Sequence, residues 1–127
     1  MRIDHIFMLF CMIFCHIIDD YYLQGWLASA KQKSWWQKNA PDKLYANDYK
    51  MALFMHCFSW TFMILLLPSI LGFYDLKLYL LLFALNLVVH MITDSAKANW
   101  MKINLITDQC IHIIQIVLIW TFYVALR

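Results

Sequence analysis

Four long apolar runs, at about residues 3–26, 51–71, 78–94 and 106–126, take up most of the chain and restrict its fold more than any other feature. Most reach the roughly 20 residues that an α-helix needs to cross a hydrocarbon layer about 30 Å thick. They lack alternation and hold few turn residues, which argues for helices and against barrel strands. With 64% hydrophobic and 14% charged residues among 127, the chain carries more apolar surface than a water-soluble domain of this length could bury. The expectation is an all-α fold: a four-helix transmembrane bundle forming a single domain over residues 1–127, without repeats or linkers. The second run should stop in the region of Pro68 and Gly72, and the third is short for a full crossing. The first run has no small-residue cleavage site and carries Asp4, Asp19 and Asp20, so it is expected to be a retained helix and not a signal peptide.

Lysine placement orients the bundle. Lys31, Lys33, Lys38, Lys43 and Lys50 lie between runs one and two, and Lys97 and Lys102 between runs three and four; Arg2, Lys77 and Arg127 lie on the other side. The positive-inside rule puts loops 28–50 and 95–105 in the cytoplasm and both termini outside, as in a multi-pass protein of a bacterial inner (plasma) membrane. Within the first loop, SAKQKSWWQK mixes lysines with Trp35 and Trp36. That composition suits a Lys/Trp-rich interfacial segment along the headgroups and an ordinary solvated loop equally well.

The polar residues inside the runs are the informative ones. His16, Asp20 and Gln24 are spaced four apart, as are His90 and Asp94, and Asp108 and His112, so each set shares a helix face. His56 adds one imidazole from the second run. Runs one and three carry these residues late and runs two and four carry them early, so all four sets fall at one depth. At 1.5 Å per residue, Asp20 is roughly 9 Å from Trp26, His56 roughly 9 Å from Lys50, His90 roughly 10 Å from Lys97 and Asp108 roughly 9 Å from Lys102.

An aspartate near the centre of a membrane helix costs about 2.5–3.5 kcal/mol on insertion scales. Protonation, pairing with histidinium or Lys97, or a shared metal ion could each offset that cost. Four histidines and three aspartates, namely His16, Asp20, His56, His90, Asp94, Asp108 and His112, suit a divalent metal bound by nitrogen and oxygen. Zinc fits best and manganese or iron also fits, as one ion or two. Gln24 and Gln109 are placed to orient ligands. For each pair the plain alternative is an interhelical hydrogen bond, for His56 a packed imidazole, and for Lys97 a snorkelling side chain. Asp19 faces about 100° away from Asp20, toward a cap or water. His5 lies near the opposite surface, too far away to join the cluster. Cys11, Cys15, Cys57 and Cys110 read as packing residues away from the polar faces.

HIIDDYYLQ, HMITDSAK and DQCIH, with a lone histidine between the first two, resemble the motifs of domain of unknown function 3307, a bacterial and phage family of small polytopic membrane proteins. The likeness covers nearly the whole chain and rests on His16, Asp20, Gln24, His90, Asp94, Lys97, Asp108, Gln109 and His112. Asp19 departs from the pattern, where small residues are usual. The arrangement is also similar, more loosely, to membrane-bound metal-dependent hydrolases, and that likeness implies hydrolysis by analogy.

Two functions fit these residues. In a metal-dependent hydrolase acting on a lipid-like or phosphorylated substrate, Asp20 or Asp94 takes a proton from water and Lys97 meets developing negative charge. In a proton or divalent-ion binding or transport protein, or a regulator with a structural metal, no bond breaks. The outer half offers little beyond Asp4, His5 and Asn86, which favours the hydrolase. The outer faces, with Trp60, Trp120 and many phenylalanines, suit membrane lipids and a second copy or small membrane partner alike; nothing suits nucleic acid.

Overall fold

The computed structural model describes residues 3–71 and 75–125; the expectations placed on Arg2, Gly72, Leu126 and Arg127 lie outside the described residues. It is helical, with no strand among the described residues. Helix α1 (Ile3–Ile18) continues through a single π turn (Asp19–Leu23), followed by short helices α2 (Leu27–Ala30) and α3 (Lys33–Asn39) and a 3₁₀ turn (Lys43–Tyr45). Helices α4 (Asp48–Ile70), α5 (Leu76–Ala98) and α6 (Leu105–Ala125) complete the chain. Four segments are long and apolar enough to cross a membrane.

Helix α4 stops within the expected region, and α5 differs from expectation for an identifiable reason. Helix α4 runs through Pro68 to Ile70 and ends there as expected, with Ser69 Oγ donating back to Leu65 O at 2.6 Å. Helix α5 begins earlier and ends later than the apolar run, giving 23 residues and a length of ~34 Å. Its start is set by Asp75, whose Oδ1 accepts from the N–H groups of Lys77 at 2.9 Å and Leu78 at 3.2 Å. The third segment is therefore no shorter than the others.

The interior divides by depth. Away from the lysine-rich end, Met8, Met12, Trp60, Ile64, Leu65, Ile116, Ile119 and Tyr123 form a dry cluster. Trp60 is fully buried there and does not sit on an outer face; it lies one turn beyond His56, on the stripe of α4 that faces the bundle. Toward the lysine-rich end the buried polar residues gather, namely His16, Asp19, Asp20, Lys31, His56, His90, Asp94, Asp108 and His112, beside the apolar Ala30, Ala52, Leu53 and Cys57. The outer faces carry Phe7, Phe10, Phe14, Leu85, Leu118 and Phe122 exposed. Apolar groups outside and ionisable groups inside is the arrangement that lipid as solvent selects.

Two residues with positive φ turn the chain at the lysine-rich end. Gly25 (φ +49) follows the π turn and sends α2 back against α4, and Met101 (φ +53) closes the exit from α5. The left-handed region costs an L-residue about 1–2 kcal/mol and costs glycine almost nothing. Gly25→Ala should lower stability by about 1 kcal/mol and Met101→Gly should raise it by a similar amount. Thermal unfolding followed by tryptophan fluorescence checks both; equal shifts of the same sign would contradict the argument.

Candidate metal centre

Each helix presents its polar residues on one stripe. Helix α5 supplies Asn86, His90 and Asp94 at successive turns, α6 supplies Asp108, His112 and Gln115, α4 supplies His56, and α1 with its π turn supplies His16, Asp19 and Asp20. The π turn matters locally. Its Gln24 N–H reaches Asp19 O across five residues at 3.1 Å, and the wider turn brings both Asp19 and Asp20 inside. Asp19 is thus buried and neither caps a helix nor meets water: its Oδ1 accepts from Ser59 Oγ at 2.6 Å.

Asp94 lies at the middle of the cluster. Its Oδ2 is 3.3 Å from His56 Nε2, and its Oδ1 is 3.5 Å from His90 Nε2 and 3.4 Å from His112 Nε2. His56 Nε2 also lies 3.3 Å from Asp20 Oδ1 and 3.3 Å from His90 Nε2, while His112 Nε2 lies 3.5 Å from Asp108 Oδ1. The His90 and His112 rings stack at 4.2 Å and 14°. Three sets of side chains could each hold a metal ion: Asp20, His56 and His90; Asp94, Asp108 and His112; and Cys57, His90 and Asp94.

Unambiguous donors and acceptors around this centre fix the protons on two of its histidines. Trp60 Nε1, which can only donate, gives its hydrogen to His16 Nδ1 at 2.7 Å. His16 must then carry its proton on Nε2, which donates to Gln109 Oε1 at 3.0 Å. The amide nitrogen of Gln109 in turn donates to Asp20 Oδ2 at 3.1 Å and Asp108 Oδ2 at 3.0 Å. Both nitrogens of His16 are thereby engaged, and this ring stands behind the ligand groups. A similar chain serves His112. Gln115 Nε2 donates to Asn86 O, so Gln115 Oε1 faces His112 Nδ1 at 3.3 Å and requires the proton there. His112 Nε2 then faces two carboxylate oxygens, as a lone pair in the neutral ring or as a second N–H in the imidazolium. Neither it nor Asp108 Oδ1 has a hydrogen-bond partner, although both are buried.

Two lysines close the lysine-rich side. Lys97 Nζ donates to Asp108 Oδ2 at 2.5 Å, and Lys31 Nζ donates to Asp94 Oδ2 at 2.6 Å. Lys31 is buried, although sequence reading counted it only as a loop charge. One signal could have found it: the tripeptide Ser-Ala-Lys occurs at 29–31 and again at 95–97, where its lysine follows a site aspartate. The small residues let α2 pack close to α4. The structure also revises the reading of Cys57, which is buried with its thiol within 4.8 Å of ligand atoms of His90 and Asp94. Being next to His56 in sequence hid it, since neighbours on a helix point about 100° apart. Gln24 donates to Asp20 O of its own turn and touches none of the ligand atoms among the contacts described. His5 stays near the opposite end, where its carbonyl accepts from Trp120 Nε1 at 2.6 Å.

No curated protein and no solved structure matches this chain. A family model described as "Protein of unknown function (DUF3307)" matches residues 8–127, nearly the whole length, and the chain belongs to that family.

Proposed function

We propose that the buried histidines and aspartates hold one or two divalent ions, zinc first, and that the protein is a metal-dependent hydrolase acting on a lipid-like or phosphorylated substrate. One observation carries the metal reading. The six inner separations fall between 3.3 and 3.5 Å, whereas the lysine, serine and tryptophan contacts surrounding them run from 2.5 to 2.7 Å. Charge-assisted hydrogen bonds are shorter, about 2.7–2.9 Å. Donor atoms around a tetrahedral zinc, each about 2.0–2.1 Å from it, sit about 3.3–3.4 Å apart. Octahedral magnesium at a similar bond length would draw them to about 2.9 Å. His112 Nε2, facing two carboxylates at 3.4 and 3.5 Å, also fits a cation held between them.

On this reading His56, His90, His112, Asp20, Asp94 and Asp108 are the ligand set, and Asp94, which faces all three imidazoles, is the carboxylate two ions would share. His16 holds Gln109, and Gln109 holds two of the carboxylates. The ion would supply Lewis acidity and lower the pKa of a bound water. With one ion held by Asp94, Asp108 and His112, Asp20 would be the spare carboxylate that takes a proton, and Lys97, about a quarter exposed, would meet negative charge that develops on substrate.

The second reading is ion or proton passage, or a purely structural centre. It draws support from the lysine pairs, which already neutralise part of the acidic charge. Against passage stands the dry cluster of Met12, Ile64 and Ile116 beyond Gln115, which offers an ion no ligands.

Metal-loaded and chelated protein, each in bilayers of mixed anionic and zwitterionic phospholipids, distinguish the two. Lipid mass spectra should gain cleavage products only with the loaded form; a loaded protein that leaves every lipid intact favours the second reading. Trp60→Phe should weaken metal binding by up to about 10-fold, the low end for loss of a partner that orients a ligand, because Trp60 reaches the carboxylates only through His16 and Gln109. Competition with a chromophoric chelator measures it, and an unchanged affinity would remove the Trp60, His16 and Gln109 chain from the argument.

A further inference from the structure

Two openings approach the centre from different directions, each lined by side chains that hydrogen-bond its carboxylates. At the lysine-rich end a cavity of about 300 Å³ is lined by Gln24, Lys31, Gln32 and Lys97. From the side, a cleft between α1 and α6 is lined by Ile13, Ile17, Tyr21, Ile113 and Gln109, and it continues along α6 past Ile106. Its walls are apolar and it opens onto the outer, lipid-type face of the bundle. One buried carboxylate links their walls: Asp108 Oδ2 accepts from Lys97, which lines the cavity, and from Gln109, which lines the cleft.

Charge decides what the cavity attracts. Asp20, Asp94 and Asp108 against Lys31 and Lys97 leave one negative charge. Two divalent ions would turn the centre positive, and it stays positive if Asp19 is counted as well. Carboxylates committed to metal hold the lysine ammonium groups less tightly, which frees N–H donors to face the cavity. A second lateral groove, of about 300 Å³ between α5 and α6, lacks this feature; its polar groups, Asn86 and Gln115, satisfy each other and no lysine lines it.

We propose that the centre takes an anionic phospholipid sideways from the bilayer, with its phosphate in the cavity beside Lys31 and Lys97 and one acyl chain in the cleft between α1 and α6. The assignment rests on the metal reading for its charge and on the two openings for its shape. A small phosphorylated molecule would use the cavity alone and leave an apolar cleft of this length without a purpose. A neutral lipid would leave the lysines without one. Both halves of the site are met by one amphiphile that carries a phosphate and an acyl chain on a short glycerol link.

Photolabelling in membranes tests this directly. The wild-type protein is placed in phosphatidylcholine bilayers doped with phosphatidylglycerol or phosphatidylcholine carrying a diazirine on one chain. After irradiation the label is mapped by peptide sequencing. The phosphatidylglycerol label should concentrate at Tyr21, Ile106 and Ile113 and exceed the phosphatidylcholine label there about fivefold or more, the effect of at least one lysine on an anionic lipid. Lys31→Gln with Lys97→Gln should abolish that preference. Ile113→Trp, which fills the cleft without touching a ligand residue, should displace the label and leave metal content unchanged. Label spread evenly over the outer face, concentrated at Leu85 and Phe122, or equal for the two lipids would overturn the proposal. So would displacement of the label by millimolar inorganic phosphate, which would assign the cavity to a free anion. Metal content of the same samples separates the two claims. Selective labelling without metal overturns the hydrolase and the charge argument and leaves the preference to Lys31 and Lys97 alone, whereas metal with even labelling overturns the docking site alone.

Discussion

Asp94→Asn should empty the metal centre. Wild-type protein purified without chelator is expected to carry one or two equivalents of a divalent metal, zinc foremost, and the variant almost none. The residue is singled out by position: its two oxygens lie 3.3–3.5 Å from the ligand nitrogens of His56, His90 and His112. Structural zinc sites bind with about 10–16 kcal/mol, so one ligand of four is worth roughly 3 kcal/mol, more than a hundredfold in affinity. Removal of a ligand shared by two ions should cost more. Asparagine keeps the shape and one acceptor, so a loss of metal cannot be ascribed to a cavity. His5→Ala, at the far end of the bundle, should retain the wild-type stoichiometry. Elemental analysis of the purified proteins decides the matter, and a metal-free wild type would end the metal reading.

Lys31→Met should have an effect on stability that depends on whether metal is bound. In chelated protein Lys31 is the buried counter-charge of Asp94, at 2.6 Å, and both side chains are almost wholly enclosed. Removing one partner of such a pair costs about 3–5 kcal/mol, because the other charge is left buried and alone. In a chain this size that corresponds to a fall of roughly 10 °C or more in Tm. With metal bound, the ion satisfies Asp94 and the penalty should shrink to less than about 1 kcal/mol, methionine filling much of the lysine stem's volume. Affinity for metal should hold or rise, since an ammonium no longer competes for Asp94 Oδ2. Thermal unfolding of variant and wild type, with and without chelator, gives all four corners of the comparison. A penalty of equal size in both states would show that no ion shares Asp94 with Lys31.

Much of this architecture was legible in the sequence, because long apolar runs leave a chain few choices. Four long apolar runs with no alternation have to become helices, and residues four apart on a helix have to share a face. The common depth of His16, His56, His90 and His112 followed from counting residues toward the lysines, and the structure does bring His56, His90 and His112 together around Asp94. What could not be read depended on departures from the ideal 100° step or on chain reversal. The π turn brings Asp19 inside when regular geometry points it away. The reversal at Gly25 carries Lys31 into the bundle, and a count of loop charges cannot register a lysine that folds back. Trp60 and Cys57 looked like ordinary apolar residues in an apolar helix. Trp60 gained its meaning only from the imidazole that its N–H meets.

The wide turn at Asp19–Leu23 also makes the chain sensitive to insertions and deletions in a stretch where that would not be anticipated. Segments next to connecting loops ordinarily accept added or missing residues, because little of the fold hangs on their count. Here the surplus residue is already in use. Shortening 20–23 by one would restore a regular helix and swing everything downstream by about 100°. The acid pair on one side of the turn and the ammonium delivered beyond it could then no longer meet the same histidines, so this chain's length is fixed where its neighbours' need not be.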